Sequence, residues 1–286
     1  MDYKSNIEKA LKFIEDHLTK SFIMENIAKE AGYSVFHFIR IFSSTVGISP
    51  GKYIRMRRLT EASKDLALGN RDIGELASKY QFLSHESFTR SFKRYIGIPP
   101  SRYRDNQQIS NLLNPFEVID KKIITESKWL IGEPEEIILP EFKIAGVTHN
   151  YSIYDDDVEK KIIKMWKENI KKLNSLNNDE KTYAFCFPDK NDSNRLEYMA
   201  AVKVNSFNNK KDFICKTIQK NKYLKFIHTG KYKQLTDSFL YIYGSWLPGS
   251  KYNLADPYDF DCYKGRINSK NIFSNNSKIE LYIPVK

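Results

Sequence analysis

The chain has 286 residues, room for two domains, and carries a net charge of +11, which fits a polyanionic partner. Its three cysteines (Cys186, Cys215, Cys262) are dispersed, with no CxxC pair and no His-rich neighbour. That spacing argues against a disulfide framework or a zinc site and for a reducing, cytoplasmic setting. No stretch is long and apolar enough to span a membrane, and the N-terminus is too charged for a signal peptide, so no membrane partner is expected.

In chain order, the first eighteen residues read as an amphipathic helix with Ile7, Ala10, Leu11, Ile14 and Leu18 inward. MENIAKEAGYS follows as a short helix that places Ile27, Ala28 and Ala31 on one face. Gly32 then supplies a residue that tolerates positive φ past the helix end. Ser34 is a good N-cap for a second helix, in which Phe38, Ile41, Phe42 and Val46 recur at core spacing. Helix, glycine turn, helix is the pattern of a helix-turn-helix. Ser49-Pro50 starts a long helix that ends before Gly69-Asn70.

The unit then recurs. Ser34, Phe38, Arg40, Phe42, Gly47, Ile48, Pro50 and Tyr53 align at a constant offset with Ser84, Phe88, Arg90, Phe92, Gly97, Ile98, Pro100 and Tyr103. No acid occurs between Gly32 and Thr60, where Arg40, Lys52, Arg55, Arg57 and Arg58 lie. None occurs between Ser87 and Arg104, where Arg90, Lys93, Arg94, Arg102 and Arg104 lie. A single charge run is usually a solvated face. Two runs in register with a repeated helix-turn-helix are the footprint of phosphate contact with double-stranded DNA. We therefore expect Lys52, Arg55, Arg57, Arg58, Lys93, Arg94, Arg102 and Arg104 to contact phosphates.

The segments IAKEAGYS, F-x-R-x-F and G-I-S-P-x-x-Y-I-x-x-R-R, with LASKYQF, S-F-T-R-x-F-K and G-I-P-P-x-x-Y-R in the second copy, resemble the AraC/XylS-family DNA-binding domain. The resemblance implies two helix-turn-helix units on a long central helix, docked in successive major grooves about 34 Å apart. It also implies contact with RNA polymerase. Base readers carried over by position are Phe36, His37 and Arg40 in the first unit, and His85, Glu86 and Arg90 in the second. The sequence departs from the family at Gln81-Phe82, where Gly-Phe is usual. A left-handed non-glycine residue there costs about 1 kcal/mol.

We expect an all-α DNA-binding domain over 1–107, a linker over 108–134 and an α+β domain over 135–286. The last begins with a strand pair (EEIILPEFKIAGVTHNYS), then a lysine-rich helix over Tyr154–Leu176. The strands TYAFCFP, EYMAAVKV and KYLKFIHTG follow, then a helix through QLTDSFLYIYGSWLP, a strand around YDFDCYKG and a final strand KIELYIPV. P-E-F-K-I-A-G-V, K-Y-L-K-F-I-H-T-G-x-Y, L-Y-I-Y-G-S-W-L-P, D-F-D-C-Y and I-E-L-Y-I-P-V resemble a GyrI-like effector-binding domain of the kind found on Rob-like regulators. This resemblance implies two pseudo-symmetric βαββ halves framing an aromatic cleft, with a carboxylate for a hydrophobic organic cation. Asp261 stands where that family usually has Glu.

Asp261 and Tyr263 alternate onto one strand face, as do Glu280 and Tyr282 on another. If the two faces meet, they form a carboxylate pair inside an aromatic wall, with Trp166, Tyr183, Phe185 and Tyr198 as further wall residues. The alternative is that these aromatics fill a core. The expected function is a DNA-binding transcription regulator that answers to a small-molecule effector. Hydrolysis by the second domain, or docking of another protein on it, are the competing readings. No nucleophile–His–acid set, phosphate loop, metal cluster or cofactor motif is present, so no enzyme activity and no cofactor is expected.

Overall fold

In a computed structural model of the chain, the structure describes residues 3–286 apart from 70, 107–111, 116–126, 156, 177–180, 190, 193, 209, 256–257 and 265–276. The helical periodicity of the first hundred residues becomes α1 (Tyr3–Asp16), α2 (Met24–Glu30), α3 (Val35–Val46), α4 (Pro50–Leu68), α5 (Ile73–Lys79), α6 (His85–Ile96) and α7 (Pro100–Asn106). Capping chemistry sets several starts. The Ser49 hydroxyl accepts from Lys52 N at 3.3 Å with Pro50 in the first turn, and Asp72 accepts from Gly74 N and Glu75 N. The Ser84 hydroxyl accepts from Ser87 N at 3.2 Å. At Ser34 the hydroxyl instead meets His37 Nδ1 at 3.2 Å.

Both tight turns have the same backbone. Gly32 has φ 73° and Gln81 has φ 61°, and the following amides close the same bond, Tyr33 N to Ala28 O and Phe82 N to Ala77 O, each 2.9 Å. Gln81 therefore takes the left-handed conformation that a glycine usually supplies in this turn, and the turn keeps its shape. Its side chain donates to Thr19 O at 3.0 Å, which helps to hold the turn.

Among the described residues, eight strands form one antiparallel sheet in the order β1-β6-β8-β7-β3-β4-β2-β5. They are β1 (Leu130–Leu139), β2 (Phe142–Ser152), β3 (Lys181–Pro188), β4 (Arg195–Val204), β5 (Ile214–Ile218), β6 (Asn221–Gly230), β7 (Phe260–Lys264) and β8 (Ser277–Pro284). With α8 (Val158–Leu176) and α9 (Leu235–Tyr241), the chain traces β2-α8-β3-β4 and then β6-α9-β7-β8. These are two βαββ halves that meet at the β7–β3 seam. Each half takes its outermost strand from the segment that leads into the other, β1 on β6 and β5 on β2.

Some boundaries differ from the sequence reading. β1 starts at Leu130, ahead of the expected start at Glu135, and most of the expected linker lies outside the described residues. α8 begins at Val158 because Ser152–Asp155 forms a turn, with Asp155 N bonded to Ser152 O at 2.9 Å. The short strand β5 was not expected, since its five residues show no clear alternation. The expected single helix near Gln234–Pro248 is α9 followed by a π-helical turn, Ile242–Trp246.

Three apolar clusters organise the chain. The second helix-turn-helix has its own core of Leu59, Leu66, Leu76, Phe88, Phe92 and Tyr103. The sheet face away from the helices holds Phe185, Phe187, Met199, Tyr223, Phe260 and Tyr282. The third cluster is continuous across the two domains. It joins Ile7, Ile27, Phe38 and Phe42 of the first helix-turn-helix to Trp166, Phe239, Tyr243 and Leu281 of the sheet domain. Among the described residues, the first unit thus shares its core with the second domain, and the second unit keeps a core of its own.

Candidate nucleic-acid interface and effector cavity

The register of the repeat puts equivalent residues of α3 and α6 on equivalent faces, yet their surroundings differ. On α6, His85, Glu86 and Arg90 are exposed and, with Thr89, Lys93 and Arg94, form one open helix face. Lys52, Lys93, Arg94 and Arg102 are exposed, and Arg55 and Arg104 are half-buried. Phe82 and Phe88, with ring centroids 5.2 Å apart, anchor the turn under α6.

On α3 the expected reading face is covered. Phe36 and His37 are buried, against the expectation that they stand on or beside the free side. Arg40 donates through Nη2 to Asp259 Oδ1 at 2.9 Å, and its guanidinium lies 4.2 Å from the centroid of the Phe239 ring. The physical reason is the π-helical turn. Gly244 sits so close to α3 that a Cβ there would lie 3.1 Å from Ser44 Cβ, a contact that would need the seam to give by a few tenths of an ångström. A seam between sequence-distant elements of this kind leaves no local pattern.

Two expected phosphate contacts are also corrected. Arg57 is buried and donates to Glu15 Oε2 at 2.8 Å, to Glu61 Oε1 at 2.8 Å and to the Leu113 carbonyl at 2.5 Å. Arg58 is buried, donates to the Leu18 and Lys20 carbonyls at 2.9 and 3.0 Å, and lies over Phe22. Both arginines tie α4 to neighbouring segments. Their sequence signal, a basic run without acids, did not reveal that α1 supplies the missing carboxylate and that Leu18, Lys20 and Leu113 supply the carbonyls.

A cavity of about 370 Å³ opens where α3 meets the β7–β3 seam between α8 and α9. That volume is within the range of small-molecule sites. The α3 side is Phe36, Ile39, Arg40, Ser43 and Ser44, a stripe at helical spacing. The opposite side includes Tyr151, Cys186, Tyr198, Tyr232, Asp259 and Asp261.

The two carboxylates set its electrostatics. Asp259 is 1% exposed; one oxygen accepts from Arg40 and the other from the Tyr243 hydroxyl at 2.8 Å. Asp261 accepts from the Tyr263 hydroxyl at 3.4 Å. Burial, reinforced by the charge of Asp259, pushes its carboxyl up to about 8 against the opposing pull of Arg40. Burial opposes the charge on Arg40, yet Asp259 keeps its guanidinium firmly protonated. The Tyr151 hydroxyl and Cys186 Sγ meet at 3.2 Å, and burial lifts the Cys186 thiol to about 11, so it is an inert wall rather than a nucleophile.

Of the expected ligand residues, Tyr198 and Asp261 line the cavity. Trp166 and Tyr263 stand directly behind it. Trp166 Nε1 donates to the Tyr198 hydroxyl at 2.9 Å, and its ring meets Tyr263 edge-on at 5.9 Å. Glu280 and Tyr282 do not join them. The pairing sets Asp261 opposite Leu281, and Cys262 opposite Glu280. Directly paired residues share a face, so Glu280 and Tyr282 lie on the other side of the sheet. Glu280 there pairs with Lys264 at 2.8 Å and accepts from the Tyr282 hydroxyl at 2.9 Å. Tyr183 belongs to that face too. Phe185 borders the cavity from its strand, but its ring stacks on Phe187 and Phe260 in the opposite cluster.

Asp259, Tyr232 and Phe239 were missed. Asp259 was within reach of sequence reasoning, because it alternates with Asp261 and Tyr263 at period two in D-F-D-C-Y. Among the described residues no group of three or more His, Cys, Asp or Glu is arranged to hold a metal ion, and no helix is long and apolar enough to cross a membrane.

Comparison with known proteins agrees with this division. Residues 137–285 match the Cass2 family, described as an integron-associated effector binding protein, and residues 27–106 match a helix-turn-helix domain family. The HTH-type transcriptional activator AarP of Providencia stuartii is 44% identical over 100 residues, covering 35% of this chain and 74% of AarP. The transcriptional regulator Rob of Salmonella typhimurium is 32% identical over 154 residues, covering 53% of this chain and 50% of Rob. A solved structure of SAV2435 bound to tetraphenylphosphonium matches with a TM-score of 0.46 and 17% identity, covering 54% of this chain and 94% of that one. The chain belongs to the AraC-type helix-turn-helix transcriptional regulators, and its C-terminal half belongs to the Cass2 family of effector-binding proteins.

Proposed function

We propose that the effector of this DNA-binding regulator is a hydrophobic organic cation with delocalised charge, bound between the aromatic rings and the two carboxylates of the cavity. The observation that carries this reading is the occupant already there. A guanidinium, itself planar and delocalised, rests on the Phe239 ring and is held by buried Asp259, with Asp261 on the same wall. A site that stabilises one such cation by ring contact and charge suits another of the same chemistry. On the DNA side, His85, Glu86 and Arg90 are the base readers of α6. Lys52, Arg55, Lys93, Arg94, Arg102 and Arg104 are the phosphate contacts.

Tryptophan fluorescence tests the pocket. All three tryptophans lie outside the first hundred residues, and Trp166 bonds directly to the wall residue Tyr198. Tetraphenylphosphonium should quench saturably, neutral triphenylphosphine oxide should bind much more weakly, and Asp261→Asn should lose most of that preference. Equal binding of the neutral compound, or no response to either, would remove the cation reading.

A further inference from the structure

The cavity is not a closed feature of the sheet domain. One wall is the stripe Phe36, Ile39, Arg40, Ser43 and Ser44 of α3, and this stripe lies opposite the core residues Phe38, Ile41, Phe42 and Val46. In a helix-turn-helix the side away from the core is the side that enters the major groove. By that rule, the side of the first unit that would face the groove is the side that lines this cavity. The repeat supplies an internal control. Arg90, the counterpart of Arg40, is exposed on an open helix, while Arg40 has only 28% of its side chain accessible and is bonded to Asp259.

We infer that Arg40 acts as a tethered, built-in occupant of the effector cavity, and that a hydrophobic organic cation switches the regulator on by displacing Arg40 and releasing α3 to its major groove. The inference rests on the cation reading of the cavity and adds how that site is coupled to DNA. One guanidinium cannot be bonded to Asp259 and to a base edge at once, so cavity docking and groove reading exclude each other. An entering cation that takes over the contacts with Asp259 and Phe239 removes what holds Arg40. It thereby has a differential affinity for the released state, which is the requirement for shifting a conformational equilibrium. The seam is suited to release. Its approach to α3 at Gly244 lies in a π-helical turn, a local irregularity that can be rearranged without unfolding α9.

The test uses the full-length chain and tetraphenylphosphonium. Calorimetric titration of wild type, Arg40→Lys and Arg40→Ala should give a Kd for Arg40→Ala at least about tenfold tighter than wild type, because the internal competitor is gone. Arg40→Lys, which keeps the charge, should remain closer to wild type. Equal affinity of wild type and Arg40→Ala would overturn the inference and leave the cation pocket standing. No binding to any of the three would overturn the pocket reading itself.

A second arm does not depend on how Arg40→Ala folds. In Ser44→Cys/Gly244→Cys the two Cβ positions lie 3.1 Å apart, so a shift of a few tenths of an ångström brings them into disulfide range and oxidation should lock α3 on the π-helical turn. DNA affinity is measured on a duplex selected from a random pool by the reduced protein. Oxidation should weaken binding at least about tenfold and reduction should restore it. Tetraphenylphosphonium should strengthen binding of the reduced form but not of the oxidised form. Unchanged DNA affinity on oxidation, or no strengthening of the reduced form by the cation, would overturn the inference.

Discussion

Two buried ionisable residues show how much a side chain's meaning depends on what the fold brings beside it. Arg57 has the appearance of a phosphate ligand in sequence, yet α1 and α4 surround it with Glu15 and Glu61. Its removal leaves the largely buried Glu15 without its ion partner, while Glu61 keeps Lys64 at 2.9 Å, and the cost is that of breaking a buried pair from one side. Arg57→Ala should therefore lose about 3 kcal/mol in urea denaturation, and a loss below about 0.5 kcal/mol would show the network to be dispensable. Asp261 works in the opposite sense. Its carboxyl is pushed up to about 8, by burial first and then by Asp259, so near pH 6 it is largely protonated. A bound cation favours the carboxylate, and so does rising pH. Affinity for tetraphenylphosphonium should then increase as pH passes from 6 to 8 and level off above about 8, with a gain of several-fold to tenfold. Asp261→Asn should flatten that dependence. A flat wild-type profile would assign the attraction to Asp259 alone.

At the scale of elements, α3 and α6 are copies of one sequence pattern placed in different environments. On α6, His85, Glu86 and Arg90 are exposed, so its contribution to DNA binding can be dissected. Arg90→Ala should cost about 1–3 kcal/mol on a selected duplex and relax the preference at one base pair. Arg94→Ala should weaken all sequences alike and reduce the salt slope by about 1. An Arg90→Ala loss that is uniform across sequences would place Arg90 on the backbone instead. The helices and the Ser49 cap were legible in the sequence, because each depends on residues within one turn of the chain. Most strands and helices of the second domain were legible for the same reason, since alternation and helical spacing are local, whereas their grouping into two βαββ halves came from the resemblance to the GyrI-like domain. Strand register was not. Whether Glu280 stands with Asp261 depends on a one-residue choice between Cys262 and Asp261 as its partner, and alternation within each strand is the same either way. Nor was the burial of Phe36 and Arg40 legible. Their partners Phe239, Tyr243, Gly244 and Asp259 lie two hundred residues further on, and a helix face that fits a DNA groove carries the same residues as one that fits an aromatic, acidic cavity.

For the whole molecule, the consequence is a difference in reach. If α6 reads bases as proposed, the chain with α3 seated in the cavity offers DNA one exposed helix and the basic residues around it. Such a surface neutralises few phosphates, so affinity without effector should be modest and its logarithm should fall with the logarithm of salt at about 0.9 per phosphate contacted. The net charge of +11 brings the chain to DNA without selecting a site. Release of α3 adds a second reading helix and its own basic neighbours, Lys52 and Arg55, one groove repeat away. Hydroxyl-radical footprinting on a selected duplex should then show a short protected patch for the chain alone. With saturating tetraphenylphosphonium the protection should extend over a second patch about 34 Å along the same face of the helix. The salt slope should steepen in parallel, because more counterions are displaced, and the oxidised Ser44→Cys/Gly244→Cys protein should keep the short footprint at any cation concentration. A footprint already spanning two grooves without cation would mean that α3 leaves the cavity on meeting DNA, with the duplex itself as the displacing partner. A footprint that stays short with the cavity filled would mean that the cation enters beside Arg40 rather than in its place.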